Sequence, residues 1–151
     1  MPSIQQATVL NATPERVWAW LAAPRFYGAW MDGVATARAV SSGEVGPGTT
    51  FTIVWEHRQL EEAWIVAEWD LLRRMRLTAY RTDRQFIFQL ETVPDGAHLV
   101  IEQAWPVSRG ILSRLAPPRS QQRGLERTVS RLRAIFALNQ DIKLLHGMGD
   151  E

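Results

Sequence analysis

Two short helices have to fit between Ala12 and Val34, and they interrupt a chain that otherwise reads as strands. Thr13 can cap a helix through its hydroxyl, Pro14 suits a first helical position that needs no N–H, and Glu15 favours the positive end of the helix dipole. A helix therefore starts at Pro14. Val17, Trp18 and Leu21 mark one apolar face, and Pro24 discourages continuation past Ala23. A second helical turn carries Tyr27 and Trp30.

At 151 residues the chain is long enough to bury one sizeable core. We expect a single domain over residues 1–145 and a flexible tail over 146–151, where the sequence turns Gly-rich and polar. With no cysteine there are no disulfides and no zinc site of the cysteine type, which agrees with a reducing compartment. The first residues lack a basic start followed by an apolar run, and no stretch approaches the roughly 18 apolar residues of a membrane span. The expected location is cytoplasmic. A net charge of +1 is too small to indicate nucleic acid. Seven tryptophans are more telling, because each brings a large apolar surface and one N–H to satisfy, and together they imply an aromatic core or an aromatic-lined cavity.

The rest of the chain can be placed around the helix pair. Ile4 to Asn11 reads as a first strand and Ala35 to Ser41 as a second, with its alanines on the buried face. The Gly-rich piece from Ser42 to Gly48 leads into β-branched Thr49 and Thr50, so it is a loop between strands and not a phosphate cradle before a helix. From Thr49 to His57, side-chain alternation puts Phe51, Ile53, Trp55 and His57 on one inward face. Glu61 to Trp69 has apolar residues on both faces. Either face could be the core. Glu62 and Glu68 are then carboxylates facing a cavity and able to serve as acid or base, or, the reading we favour, they face solvent and the Ala63, Ile65, Ala67, Trp69 side is buried. Met75 to Arg81 and Gln85 to Val93 are further strands, and Pro94-Asp95-Gly96 closes a hairpin onto Ala97 to Val107. A short helix at Ile111 to Leu115 is interrupted by Pro117-Pro118. A long helix from about Arg119 to Gln140 follows, its stripe Leu125, Val129, Leu132 and Phe136 joined by Ile135.

Pro14-Glu15-Arg16-Val17-Trp18 with the later Trp30, and the order strand, two helices, run of strands, long helix, resemble the SRPBCC superfamily of START and Bet v 1-like proteins. The closest likeness is to the polyketide cyclase/dehydrase family. The resemblance implies an α+β helix-grip fold: a curved antiparallel sheet of six to seven strands wrapped on a long C-terminal helix, with two short helices after strand one. It also implies an internal cavity for a hydrophobic small molecule of polyketide, lipid or isoprenoid type.

Candidate cavity residues are the aromatics Trp30, Phe51, Trp55, Phe86, Phe88, Trp105 and Phe136, the aliphatics Ile53, Ile101 and Leu132, and the polar His57, Tyr80 and Gln103. His57 ends an otherwise apolar face, and an imidazole there fits either a ligand contact or a solvated strand end. An enzyme of the cyclase/dehydrase kind would use His57, Tyr80 or Gln103. Arg58 falls on the opposite face by parity. His57, His98 and His146 have no metal-ligand spacing, and no nucleotide fingerprint is present, so no cofactor is expected. Seven arginines (Arg109, Arg114, Arg119, Arg123, Arg127, Arg131, Arg133) against Glu126 form a basic stretch, read as a solvated face or a weak docking surface for an anionic partner. If it is such a surface, replacing Arg123, Arg127 and Arg131 should spare folding.

Overall fold

A computed structural model describes residues 2–39, 44–106 and 119–149, with the side chains of the last helix described to residue 137. The expected helix at Ile111 to Leu115, the Pro117-Pro118 break, Val107, Arg109 and Arg114 lie outside them.

Strand β1 (Ser3–Leu10) leads into α1 (Pro14–Leu21). The Thr13 hydroxyl accepts the Arg16 N–H at 3.3 Å, and Pro14 occupies the first turn. Val17, Trp18 and Leu21 form its buried face. A 3₁₀ turn at Pro24–Phe26 passes into α2 (Tyr27–Trp30), which buries both aromatics. Six strands follow: β2 (Val34–Ala39), β3 (Thr50–Trp55), β4 (Glu61–Asp70), β5 (Arg74–Ala79), β6 (Gln85–Val93) and β7 (Gly96–Ala104). They close one antiparallel sheet in the order β1-β7-β6-β5-β4-β3-β2. The last helix, α3 (Arg119–Gly149), lies along β1 and α2. This is the helix-grip fold. Helix α3 runs past the expected end at Gln140, because no proline interrupts it and leucine and lysine favour its continuation.

Two irregularities explain where strand parity misleads. In β4 the register shifts between Val66 and Glu68, so one extra residue flips the faces halfway along. Trp64 and Val66 point into the core with Glu62, and beyond the bulge Trp69 does too, its ring 5.0 Å from that of Trp18. The expectation that Glu62 faces solvent is thus wrong. That for Glu68 is right, since it pairs with Arg74 at 2.9 Å and Arg76 at 3.4 Å on the outer face. A shift between Val34 and Thr36 likewise leaves Val34 and Ala37 buried in β2, with Ala35 and Ala39 exposed.

The space between sheet and α3 is filled by rings. Trp30 meets Tyr27 at 5.3 Å and Phe88 at 5.9 Å, and Tyr27 meets Phe51 at 5.7 Å. The Leu125, Val129, Leu132, Phe136 stripe is buried against them, and Arg133 Nε donates to Thr8 Oγ1 at 2.7 Å to fasten α3 to β1.

Candidate ligand-binding site

Several segments converge at one end of the groove. Met31 and Asp32 follow α2, Trp55 ends β3, Arg84 and Phe86 stand at the start of β6, and Gln103 lies near the end of β7. Across from them are Ser120 to Thr128 in the first turns of α3. They enclose a hollow of about 180 Å³. Met31, Phe86 and Leu125 are almost wholly buried and form an apolar floor, whereas Asp32, Arg84, Gln103 and Gln121 stay partly accessible at the rim. Two larger hollows, about 620 and 890 Å³, lie at the opposite end of the sheet. Neither is lined by a buried aromatic residue, so neither reaches the ring-filled interior.

Glu62 organises the sheet side of this mouth. Its Oε1 accepts the indole N–H groups of Trp55 at 3.1 Å and Trp64 at 3.0 Å, its Oε2 accepts the Thr82 hydroxyl at 3.2 Å, and Arg84 lies 3.8 Å away. Arg84 in turn sits 5.2 Å over the Trp55 ring. A carboxylate offers about four lone-pair sites, and these three hydrogen bonds occupy both sites of Oε1 and one of Oε2. Glu62 therefore orients Trp55 and Arg84, with its Oε1 fully engaged by the two indoles.

Asp32 organises the helix side. Arg127 grips its carboxylate as a fork, Nε to Oδ1 at 2.9 Å and Nη2 to Oδ2 at 3.0 Å, and Arg131 stands 3.5 Å away. The Asp32 N–H donates to Thr128 Oγ1 at 2.9 Å, whose hydroxyl donates to the Gly124 carbonyl at 3.1 Å. Gly124 makes this close approach feasible: a Cβ there would stand 2.8 Å from Asp32 Oδ2. The hydrogen bonds to Asp32 push the Arg127 guanidinium further above its ordinary pKa. The Asp32 contact joins the middle of α3 to the α2–β2 junction. It takes up Arg127 and Arg131, as Thr8 takes up Arg133, so the centre of the basic stretch serves the fold itself.

Below the mouth, the Tyr27 hydroxyl donates to the Leu21 carbonyl at 2.6 Å, and burial pushes its pKa well up. Two indole N–H groups, those of Trp18 and Trp30, and the Gln121 side-chain oxygen are buried with no protein partner among the described residues.

The structure brings together most of the expected cavity residues. Trp30, Phe51, Ile53, Phe88, Ile101, Leu132 and Phe136 are buried in the core, and Trp55, Phe86 and Gln103 line the mouth. His57 is exposed in a 3₁₀ turn (His57–Gln59), because β3 ends at Trp55 before alternation can carry it inward. Tyr80 is also outside, 56% exposed just past the end of β5. Trp105 follows β7, where its backbone N–H donates to the Pro2 carbonyl at 3.2 Å beside the start of β1. Sequence reasoning missed Asp32, Arg84, Gln121 and Thr128, which lie in a turn, in a hairpin and on the polar flank of α3. Among the described residues no group of three or more acidic or histidine side chains is placed to hold a metal ion.

A curved antiparallel sheet gripping a long helix over an aromatic floor defines the class: a fold that binds hydrophobic ligands. The chain belongs to the family described as polyketide cyclase/dehydrase and lipid transport, which matches residues 1–136. No curated protein matches the chain in sequence. Among solved structures, a Bacillus halodurans protein has a TM-score of 0.70 at 17% identity, covering 90% of this chain and 97% of its own. A Nitrosomonas europaea protein has 0.69 at 12% identity, covering 93% and 97%. A Chromobacterium violaceum protein has 0.65 at 21%, covering 90% and 98%. At such identities the likeness defines the fold. No helix among the described residues is long and apolar enough to cross a membrane.

Proposed function

We propose that the chain binds a hydrophobic small molecule of the polyketide, lipid or isoprenoid type, taken up between α3 and the concave face of the sheet through the mouth around Phe86. The observation that carries this is the layout of that mouth: an apolar floor of Met31, Phe86 and Leu125 under a rim of Arg84, Gln103, Gln121 and Asp32. That layout suits a ligand with an apolar body and a few polar atoms. A hollow of about 180 Å³ is smaller than the roughly 300 Å³ at which ligand pockets begin, so uptake requires the first turns of α3 to lift. The Gln121 oxygen and the Trp30 N–H then offer an acceptor and a donor to the ligand's polar atoms. A catalysed cyclisation or dehydration has less support, because His57 and Tyr80 lie outside the mouth.

Native mass spectrometry of the protein purified from its own host tests the proposal. It predicts an apolar compound bound one to one and released by organic solvent. Protein that carries nothing, and that takes up no member of a panel of fatty acids, isoprenols and aromatic polyketides, would overturn it.

A further inference from the structure

Once the contacts already made are subtracted, the hollow at the mouth keeps an unmatched set of polar groups. Asp32 is gripped by Arg127 and Arg131, and the Thr128 hydroxyl both accepts the Asp32 N–H and donates to Gly124. Arg84 is different. Its nearest carboxylate oxygen, on Glu62, stands 3.8 Å away, too far for a hydrogen bond, and its other contact is the face of the Trp55 ring. The guanidinium lines the hollow, is 32% exposed, and donates no side-chain hydrogen bond among the described residues. On the facing wall, in the first turns of α3, the Gln121 side-chain oxygen is buried and has no donor among the described residues. One wall thus offers cationic N–H groups and the other a bare acceptor.

The other acids near these elements do not reach the hollow. Glu102 precedes Gln103 in β7, so alternation turns it to the outer face, level with Ile87 and Gln5. Glu126 is exposed on α3 and, unlike Leu125 and Thr128, is not part of the wall. Glu56 and Asp83, next to Trp55 and Arg84 in sequence, are exposed in turns, and neither forms an ion pair with Arg84. Asp32 does border the hollow. Its charge disfavours a dianion such as phosphate and leaves room for a single carboxylate on the other wall. Size points the same way: about 180 Å³ is little more than the roughly 150 Å³ that holds one benzene ring, so the hollow as it stands takes one ring with small substituents.

We infer that the ligand at the mouth is a free hydroxy acid, its carboxylate on Arg84 and its hydroxyl donating to Gln121. The inference rests on the proposed function, since it names the polar end of the molecule taken up there. A carboxylate accepts both N–H groups of a guanidinium fork, a charge-assisted contact about twice as strong as one to a neutral carbonyl. An ester, amide or thioester of the same acid loses that contact, which sets this ligand apart from an acyl chain carried as a thioester. The hydroxyl matters because a buried acceptor without a donor costs free energy, and a donor on the ligand removes that cost. A longer apolar body follows beneath α3 when its first turns lift.

The test is titration of the full chain with 3-hydroxybenzoate, with its neutral isostere 3-hydroxybenzamide, and with benzoate, which lacks the hydroxyl. Dissociation constants are read from the Trp55 indole N–H resonance. In the parent, 3-hydroxybenzoate should bind about tenfold or more tightly than the amide, and several-fold more tightly than benzoate. Arg84→Gln should bring the acid down to the amide's affinity and leave the amide unchanged. Arg84→Lys, which keeps the charge beside Glu62 without the fork, should fall between them, with a melting temperature within a few degrees of the parent's. Gln121→Leu should erase the advantage over benzoate and keep that over the amide. Four results would overturn the inference: an amide that binds the parent as tightly as the acid, an acid preference that survives Arg84→Gln, a hydroxyl preference that survives Gln121→Leu, or no binding by any of the three probes. If neutral isoprenols bind while the acid has no advantage, the wider ligand-binding reading stands and only the hydroxy acid falls. If neither these probes nor any member of the earlier panel binds, both fall.

Discussion

In the interior just behind the mouth, the closed end of the groove, each aromatic ring packs on another, whereas at the mouth itself the Trp55 ring meets charge. Trp30 touches Tyr27 and Phe88 edge-on and is fully buried. Trp55 is half-buried, bonded to Glu62 through its N–H and covered by Arg84. Ring packing adds up over many weak contacts that leave no single one decisive, so the closed end resists deformation. The mouth is held by a few directional hydrogen bonds and ion pairs, each of which can break without disturbing the core. Stability is concentrated at one end and adaptability at the other, which allows α3 to lift there and stay anchored along Leu132 and Phe136.

Breaking the closed end should have the largest effect. Trp30→Ala removes a fully buried ring and should cost about 3–5 kcal/mol in urea unfolding. A loss below about 1 kcal/mol would mean that the interior is already loose. Glu62→Ala comes next. It leaves two indole N–H groups without their acceptor and should cost about 1–3 kcal/mol, with a red-edge change in tryptophan fluorescence as Trp55 is freed.

Tyr27 gives the closed end a signature in pH. Burial raises its folded pKa above the unfolded value of about 10, so its contribution is complete below pH 10. As pH rises past 10 the unfolded chain ionises first, and stability should fall by up to about 1.4 kcal/mol per pH unit. Tyr27→Phe should remove that slope while costing about 1 kcal/mol at neutral pH for the lost bond to Leu21. An unchanged slope in the variant would locate the titration elsewhere.

The smallest effect is at the mouth and concerns a sign. Gly124→Ala in a helix interior should stabilise by about 1 kcal/mol on propensity alone. Here the new Cβ would crowd Asp32 Oδ2, so the variant should show no gain or a net loss. In an Asp32→Ala background the gain should return. An equal gain in both backgrounds would show that Asp32 does not hold α3.

What could be read from the sequence was whatever follows a local rule. The Thr13-Pro14-Glu15 start of α1 and the Leu125, Val129, Leu132, Phe136 stripe of α3 are fixed by capping and by helical period, and both stand where that reading puts them. The inward face of β4 was not readable, because a single bulge after Val66 reverses a period of two without any glycine or proline to announce it. The contact of Asp32 with Arg127 spans 95 residues, and nothing near either residue indicates the other. For the same reason the expectation that replacing Arg123, Arg127 and Arg131 would spare folding changes. Arg123 is exposed and without a described partner, but Arg127 and Arg131 hold the α2–β2 junction, so that triple variant should lose stability as well as charge.

The most direct test of the central claim is a titration of the indole N–H resonances with the apolar probe anilinonaphthalene sulfonate, followed by nitrogen–proton correlation spectroscopy. If ligands enter beneath α3 at the mouth, the Trp55, Trp64 and Trp30 signals should shift with one common affinity while Trp18 and Trp69, packed together under α1, stay in place. Shifts confined to Trp18 and Trp69, or none at any indole while the probe binds, would put the ligand elsewhere and contradict the account.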